Sequence, residues 1–232
     1  MKPISAVMNA RLESSRVERK MVRPFAGRTL IDIALEKLAA LDFFDHRYLA
    51  VAEDELKERA RRYNNVRILE RPPEAVARGP HPVMVTFEHY TRVPTEYIFV
   101  INPCSAFLSV DTIRRAYDVV QSTDHPSYLA AIPTREWIFD PEGRALTHRD
   151  PSALQNTSSG AVHYKASQAF YAFDRDRFVA TGGLLWRLLP GDPKLIEMPA
   201  EEAHDVDTDV EFEFASYLYA RRQAGAAPVA RR

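Results

Sequence analysis

Three cationic side chains, with small hydroxyl residues between them, follow the first apolar run of the chain. The run covers residues 4–8, and Arg11, Ser14, Arg16 and Lys20 come after it. Arginine and lysine neutralise phosphate, while serine hydroxyls and loop N–H groups donate hydrogen bonds to its oxygens. The segment therefore predicts a phosphate-binding loop. From the residues alone, a solvated surface loop with three ordinary cations is an equally good interpretation.

A second candidate site is an acidic segment near the C-terminus. Asp205 and Asp207 are one residue apart, so in an extended segment both carboxylates point the same way and can reach one cation. Hard oxygen ligands of this kind suit Mg²⁺. The alternative is that acidic residues here only favour the positive end of a following helix, which Thr208 and Glu211 would cap.

The elements that must position these residues alternate along the chain. Short apolar strands between amphipathic helices predict an α/β fold, a three-layer sandwich with a mostly parallel central sheet. Ligands of such sheets bind at the carboxyl ends of the strands, where the loops after residues 8 and 101 emerge. The predicted strands are 4–8, 47–52, 66–69, 97–101, 127–132, 169–173 and 194–198, and the predicted helices are 30–41, 54–63, 83–90, 110–121, 175–181 and 210–222.

The domain organisation is predicted to be simple. Residues 1–223 form one domain, with a small extension at about 135–165 in which residues 137–146 form a hairpin around a Pro-Glu-Gly-Arg turn. The tail 224–232 is small, basic and contains a proline, so we expect it to be disordered.

Composition excludes several classes of function. The chain has 232 residues, 46% of them hydrophobic, which is enough for one substantial core. Its net charge of −1 excludes a broadly basic nucleic-acid binder, so affinity for polyphosphate must be local. The single cysteine, Cys104, excludes an internal disulfide. We find no membrane span or signal peptide and expect a cytoplasmic protein.

Three blocks of the sequence resemble one known family. Ala10-Arg11, Ser14, Arg16 and Lys20 reproduce the spacing of a family signature in which a serine and a lysine follow the arginine after three and nine residues. Residues 70–76 resemble its Arg-Pro-x-Glu-Leu-Ala segment, and residues 205–215 resemble its Asp-Ile-Asp-Thr-x-Glu-Asp-Phe-Glu-x-Ala ending. This is the family of the nucleotide-sugar cytidylyltransferases, which includes the acylneuraminate and Kdo enzymes. The blocks occur in the family's order and span nearly the whole chain.

The resemblance implies a fold, a reaction and a set of roles. It implies the nucleotide-diphospho-sugar transferase-like fold, and transfer of CMP from CTP to a sugar acid with release of pyrophosphate. Arg11 and Lys20 would hold the phosphates with help from Ser14 and Arg16, and Asp205 and Asp207 would bind Mg²⁺. It further implies a homodimer to which the extension contributes.

Four other residues are candidates for substrate binding. By resemblance, Arg71 lies in the block that would border the base, and Asn102 stands where relatives carry a glutamine that contacts the substrates. Ser105 lies in the same loop as Asn102. For residues 167–171 strand packing is a sufficient explanation, and a sugar contact from Gln168 is the alternative.

Several residues depart from the family pattern. Leu12 and Glu13 replace the usual glycines of the loop, Glu18 brings further negative charge, and Asn9 replaces a proline. In the loop of Asn102, Leu108 replaces a basic residue. These changes keep two alternatives open, namely a catalytically silent homologue that binds nucleotide or sugar, and a nucleotidyltransferase or glycosyltransferase with another substrate.

Other reactive residue types receive ordinary roles. Cys104 is interpreted as a buried packing residue, because no histidine stands in a recognisable pairing pattern with it. His81 and His89 lack metal-binding spacing and are interpreted as partly exposed histidines.

Overall fold

Seven of the apolar runs assemble into one sheet, as seen in a computed structural model of the protein. The structure describes residues 1–14, 16–77, 81–147, 152 and 160–225. Over these residues the strand order is β5-β4-β1-β6-β8-β7-β9. Its strands are β1 (Ile4–Asn9), β4 (His46–Val51), β5 (Arg67–Glu70), β6 (Tyr97–Ile101), β7 (Ser127–Thr134), β8 (His163–Asp174) and β9 (Lys194–Glu197).

The sheet is mostly parallel, as the sequence predicts. β1 pairs in parallel with β4 and β6, β4 with β5, and β7 with β9. β8 alone runs antiparallel, against both β6 and β7. A separate hairpin of two short strands, β2 (Pro24–Phe25) and β3 (Arg28–Thr29), was not predicted. It turns through Ala26 and Gly27, both with positive φ, where glycine costs least.

Helices cover the sheet, with bounds close to those predicted. The long helix α4 begins at Val110 and ends at Ser122, and α6 begins at Asp209 and ends at Gln223. The predicted helix 83–90 is wrong in its second half, because Glu88–Arg92 form a 3₁₀ helix after α3 ends. The remaining helices are α1 (Leu30–Ala39), α2 (Asp54–Ala60), α3 (Val83–Phe87) and α5 (Arg175–Ala180).

The central strands β1 and β6 are buried on both faces of the sheet. Ile4 and Met8 of β1 belong to the larger core cluster, whereas Val7 points to the opposite face and belongs to the smaller one. A strand buried on both faces explains why the first apolar run is continuous rather than alternating. No helix among the described residues is long and apolar enough to cross a membrane.

The extension is a hairpin in the part that the structure describes. Phe139 and Ala145 form an antiparallel bridge, and the carboxylate of Asp140 accepts hydrogen bonds from the backbone N–H groups of Glu142 and Arg144. This agrees with the predicted turn. The predicted tail lies outside the described residues from position 226 onward, and so does most of 148–159.

A helix cap provides a test of local stability. Thr29 caps α1, since its hydroxyl accepts a hydrogen bond from the N–H of Asp32. We expect Thr29→Ala to lower the free energy of unfolding by about 1 kcal/mol, because an orphan helix donor loses its partner. Thr29→Ser keeps the hydroxyl and should retain most of the stability. Urea unfolding followed by circular dichroism measures both, and equal stability of the alanine variant would contradict the role of the cap.

Candidate functional site

The loop after β1 lines a cavity at the carboxyl edge of the sheet. The cavity measures about 220 Å³. Among the described residues that line it are three cations and three carboxylates, whose charges balance before any ligand binds. Its lining within the described residues is Asn9, Ala10, Arg11, Glu13, Ser14, Arg16, Lys20, Met21, Asn102, Pro103, Cys104, Asp205 and Asp207. We call it the charged cavity. It brings together seven of the ten predicted site residues, all except Arg71, Ser105 and Gln168.

Lys20 joins the loop to the acidic segment before α6. Its ammonium donates to the carbonyl of Val206 at 2.6 Å and lies 3.8 Å from Oδ1 of Asp207. The Lys20 side chain is only 14% exposed, so it is not the solvated surface cation of the alternative interpretation. Its loss would therefore disturb packing as well as charge.

The two predicted metal ligands differ in how they are held. Both oxygens of Asp205 accept hydrogen bonds, Oδ2 from the amide of Asn102 at 3.2 Å and Oδ1 from the N–H of Val206 at 2.8 Å. Asp207 Oδ1 lies 2.7 Å from Arg16 Nη2. That contact is an ion pair and not an aligned hydrogen bond, because the same buried oxygen has no hydrogen-bond donor among the described residues.

The capping interpretation of this segment also holds. Thr208 accepts a hydrogen bond from the N–H of Glu211, and the Glu211 carboxylate accepts one from the N–H of Asp207. The backbone of Asp207 is thereby fixed at the start of α6 while its carboxylate faces the cavity. Capping and a ligand role are compatible in this geometry.

Asn102 organises the loop after β6. Its side-chain oxygen accepts from the N–H of Cys104 at 2.9 Å while its amide nitrogen donates to Asp205. The ammonium of Lys37 donates a 2.7 Å hydrogen bond to the carbonyl of Ser105 in the same loop. Burial lowers the pKa of Lys37 to about 7. Ser105 itself is buried, and its hydroxyl has no partner among the described residues. It does not line the charged cavity.

Arg71 also lies behind the site. It is 7% exposed, and its guanidinium donates to the carbonyls of Ala75 and Thr86 at 2.9 and 3.4 Å. Burial lowers its pKa, with a further contribution from the charge of Arg11. Through these two hydrogen bonds Arg71 joins the segment after β5 to α3. It does not line the charged cavity.

A second cavity of about 220 Å³ adjoins the first. The two share Asn9, Asn102 and Pro103. Its other lining residues in the described part of the chain are Phe87, Val100, Ile101, Gln168 and Tyr171, none of them charged. We call it the neutral cavity. The predicted site residue Gln168 lies here, exposed at the cavity wall.

The acidic residues that depart from the family pattern have separate locations. Glu13 lines the charged cavity, whereas Glu18 lies outside it. Leu12, at the position of a family glycine, donates its N–H to Oε1 of Glu53 at 2.7 Å. A backbone donor of the loop is therefore already occupied by a carboxylate of this chain.

The comparison with protein families agrees with this geometry. Residues 6–189 match the family model described as Cytidylyltransferase. The chain belongs to the cytidylyltransferase family. It is a CTP-dependent nucleotidyltransferase, and the matched region contains both cavities apart from the acidic segment. No curated protein matches the sequence at a significant level.

Solved structures show that the fold is that of such enzymes. A CMP:2-keto-3-deoxy-manno-octonic acid synthetase complexed with CTP superposes with a TM-score of 0.67 at 14% identity, covering 94% of this cytidylyltransferase and 99% of that chain. The 4-diphosphocytidyl-2C-methyl-D-erythritol synthase of Anaerococcus prevotii gives 0.64 at 16% identity, with coverages of 95% and 99%. The bifunctional IspDF of Campylobacter jejuni gives 0.61 at 12% identity, covering 90% of this chain and 53% of the other.

The sequence interpretation missed several residues of the site. Asn9 lines both cavities, and Tyr171 and Phe87 line the neutral one. The interpretation of His89 as partly exposed is wrong, because it is completely buried. The position of Asn9 at the end of β1 was a usable signal, since strand ends of this kind point into the ligand crevice.

The single cysteine of the chain provides a test of how the loop after β6 is packed. Cys104 is 7% exposed, and burial raises the pKa of its thiol to about 11. At pH 8 roughly 0.1% of it is thiolate, so alkylation by iodoacetamide should be at least about a hundredfold slower in the folded protein than in urea. Mass spectrometry measures both rates. Equal rates would show that the loop after β6 does not bury Cys104.

Proposed function

We propose that this cytidylyltransferase transfers CMP from CTP to a hydroxyl of a sugar acid and releases pyrophosphate, with Mg²⁺ as cofactor. The observation that carries the proposal is the pair of adjoining cavities, one charged and one neutral, that share Asn9 and Asn102. A donor triphosphate in the first and an acceptor in the second would meet at this shared wall. Proximity of this kind is a large part of catalysis in group transfer.

The charged cavity supplies the groups that such a transfer needs. The acceptor hydroxyl attacks the α-phosphorus and pyrophosphate leaves in line, so the protein must mainly position the groups and neutralise charge. Arg11, Arg16 and Lys20 are the cations that line this cavity within the described residues, and Ser14 lines it with them. These residues would hold the phosphates.

The chemistry of the same cavity fits a divalent cation. Its cations and carboxylates already balance, so a triphosphate needs additional positive charge. Asp207 presents a buried oxygen that is ion-paired with Arg16 at 2.7 Å but has no aligned hydrogen-bond donor among the described residues. Within that part of the chain no group of three or more acidic, histidine or cysteine ligands occurs, so two carboxylates with water and phosphate oxygens would complete the coordination. When bound, Mg²⁺ would offset charge on the phosphates.

The neutral cavity favours a second candidate for the acceptor. Its described lining offers amides and a phenol but no cation to pair with the carboxylate of a sugar acid. An unpaired carboxylate in a partly buried site loses hydration without compensation. A neutral hydroxylated acceptor is therefore the alternative substrate class for the same reaction.

We also propose that the enzyme is a homodimer that pairs through the extension. Five large apolar side chains are exposed in the described part of the extension, and the most exposed are Phe139 at 53%, Leu146 at 66% and Tyr164 at 49%. Apolar surface of this kind is typical of interaction sites. A monomeric mass in sedimentation equilibrium would contradict the proposal.

The reaction can be tested by pyrophosphate release. Each of the four nucleoside triphosphates is incubated with Mg²⁺ and a panel that pairs each sugar acid with its neutral amide. We expect release with CTP and with the acid members of the panel, and a larger rise in melting temperature with CTP than with ATP or GTP.

The outcomes separate the alternatives. Release with the neutral amides but not with the acids would replace the sugar acid by a neutral acceptor. A CTP-dependent thermal shift without release in any mixture would indicate the silent homologue. The variant Lys20→Met keeps the length of the side chain but removes its charge. We expect it to release pyrophosphate more slowly by orders of magnitude.

The metal role predicts a selective effect of one carboxylate. Asp207→Asn keeps the shape of the side chain but removes its charge, so turnover should fall roughly a hundredfold or more and require far more Mg²⁺. The Mg²⁺-dependent part of the CTP thermal shift should disappear too. Asp209→Asn is the matched control, because Asp209 pairs with Arg23 and is not among the residues that line the charged cavity. Equal behaviour of the two variants would contradict a metal at Asp207.

A further inference from the structure

An asparagine at the end of β1 is held by two buried side chains. Oδ1 of Asn9 lies 2.8 Å from Nε2 of His89, and Nδ2 of Asn9 donates a 2.6 Å hydrogen bond to the hydroxyl of Tyr90. His89 and Tyr90 are completely buried, whereas Asn9 is half-buried and lines both the charged and the neutral cavity. The core therefore fixes an amide group at the wall that the two cavities share.

The environment of His89 determines which way the amide of Asn9 is turned. Burial, with smaller contributions from the charges of Arg71 and Arg92, lowers the pKa of His89 to about 3, so the ring is neutral and carries one proton. Nδ1 of the ring is buried without a partner among the described residues. A proton there would be a buried donor without an acceptor, which costs more than an unused lone pair. The proton therefore lies on Nε2 and is donated to Oδ1 of Asn9, which leaves the amide nitrogen beside Tyr90.

One hydrogen of this amide remains for a ligand. The nitrogen of Asn9 carries two hydrogens, and the bond to Tyr90 uses one of them. In the described part of the chain the nitrogen makes no second hydrogen bond. Because both partners of the amide lie in the core, its position is set before a substrate binds. Donors fixed in this way stabilise charge that develops in a transition state.

Neutral donors near this wall are otherwise engaged within the protein. The N–H of Leu12 is donated to the carboxylate of Glu53, and the amide nitrogen of Asn102 is donated to the carboxylate of Asp205. The partners of Asn9 are both neutral, so no carboxylate competes with a phosphate oxygen for its hydrogen. The proline that the family carries at this position has no side-chain donor at all. The replacement by Asn9 therefore adds a neutral donor where the loop has lost one.

We infer that Asn9 is a catalytic residue that donates its remaining amide hydrogen to a non-bridging oxygen of the α-phosphate of CTP, and that His89 and Tyr90 are the positioning residues that hold the amide. The inference rests on the proposed function, because it takes the triphosphate to lie in the charged cavity and the acceptor in the neutral one. Asn9 lies at the wall where the two substrates would meet.

The donated hydrogen bond acts on the step in which the phosphoryl group changes partners. The acceptor oxygen forms a bond to the α-phosphorus, and its proton passes to water. The bond from the α-phosphorus to the bridging oxygen breaks, and pyrophosphate leaves with that electron pair. Charge on the non-bridging oxygens must be stabilised in this transition state, and an amide donor does so without a proton transfer of its own.

The contact can be tested without turnover. In protein labelled with ¹⁵N-asparagine, the side-chain amide of Asn9 gives two proton signals, which are assigned by their absence in the isosteric variant Asn9→Asp. CTP and Mg²⁺ are added without an acceptor, and binding is followed by the rise in melting temperature. We expect one of the two signals to move downfield, because a hydrogen bond to phosphate forms, and the other to stay. CTP that binds without moving either signal would overturn the inference.

The catalytic role is tested by a double-mutant cycle. Asn9→Ala removes the donor and should lower kcat about a hundredfold while the KM for CTP changes less than about threefold. His89→Leu releases one end of the amide and should lower kcat about tenfold, and His89→Gln, which restores an N–H donor, should recover to within about twofold of the parent. In the Asn9→Ala background, His89→Leu should have no further effect on kcat.

Ser5→Ala is the matched control for a loss of stability alone. Ser5 lies on the same strand, and its buried hydroxyl accepts a hydrogen bond from Thr95 at 2.8 Å. It is not among the residues that line the charged or the neutral cavity. We expect a lower melting temperature with an unchanged kcat. If Asn9→Ala behaves like Ser5→Ala, or if the effects of Asn9→Ala and His89→Leu are additive, these side chains only stabilise the fold and the inference is wrong.

The outcomes separate this inference from the proposed function. A shifted Asn9 signal with CTP, but no transfer of CMP to any sugar acid or neutral acceptor, would contradict the proposed function and support the contact with phosphate. Transfer that proceeds with a normal kcat in Asn9→Ala would overturn the inference and leave the proposed function intact.

Discussion

The pairing of β1 between β4 and β6 is the constraint on which the site depends. Because the three strands are parallel, the loops that follow β1 and β6 must leave the sheet at the same edge. Burial on both faces fixes the register, since a shift by one residue would turn Val7 toward the cluster that contains Ile4 and Met8. The cationic loop and Asn102 are neighbours for this reason, although about ninety residues separate them in sequence.

The acidic segment reaches the same edge by a different route. Phe212 and Tyr219 of α6 pack against Phe25 of the β2-β3 hairpin, with ring centroids 5.4 and 5.6 Å apart. The hydroxyl of Ser216 accepts the N–H of Ala26 in that hairpin. This packing sets the start of α6 beside Lys20, so an apolar contact outside the cavity determines where the carboxylates lie. The short hairpin lines neither the charged nor the neutral cavity, yet it determines where one part of the site lies.

How many of the strands could be predicted from the sequence depended on how clearly their apolar residues are set off from their neighbours. β6 was predicted to the residue, Tyr97–Ile101, because an apolar run bounded by polar residues has a clear end on each side. β8 was predicted only at 169–173, since its outer half, from His163, is polar and is held by pairing with β7 across a bulge. A two-residue strand such as β2 is too short to show the alternation of apolar and polar residues by which strands are predicted.

The site was predicted best where charge and spacing carried the information. The cations and Asp205 with Asp207 line one cavity, and their roles as phosphate and metal ligands stay predictions. Arg71 was expected to contact substrate. In the structure its guanidinium donates to backbone carbonyls, which occur at every residue and therefore leave no signal in the sequence. The burial of His89 was missed because a lone histidine in a helical pattern gives no sign of burial. In the structure its ring packs against those of Phe87 and Tyr90.

The substitutions in the loop have a common physical consequence. In a glycine-rich loop the backbone N–H groups are free to bind phosphate oxygens. In this chain the N–H of Leu12 is donated to Glu53, whose other carboxylate oxygen is buried without a partner among the described residues. The cavity therefore has fewer neutral donors and depends more on the side-chain charges of Arg11, Arg16 and Lys20. Charge pairing is screened by salt more strongly than backbone hydrogen bonding, so the substitutions make phosphate binding depend more on interactions that salt weakens. Asp207 in turn pairs with Arg16 and Lys20, so the loop and the acidic segment form one electrostatic unit.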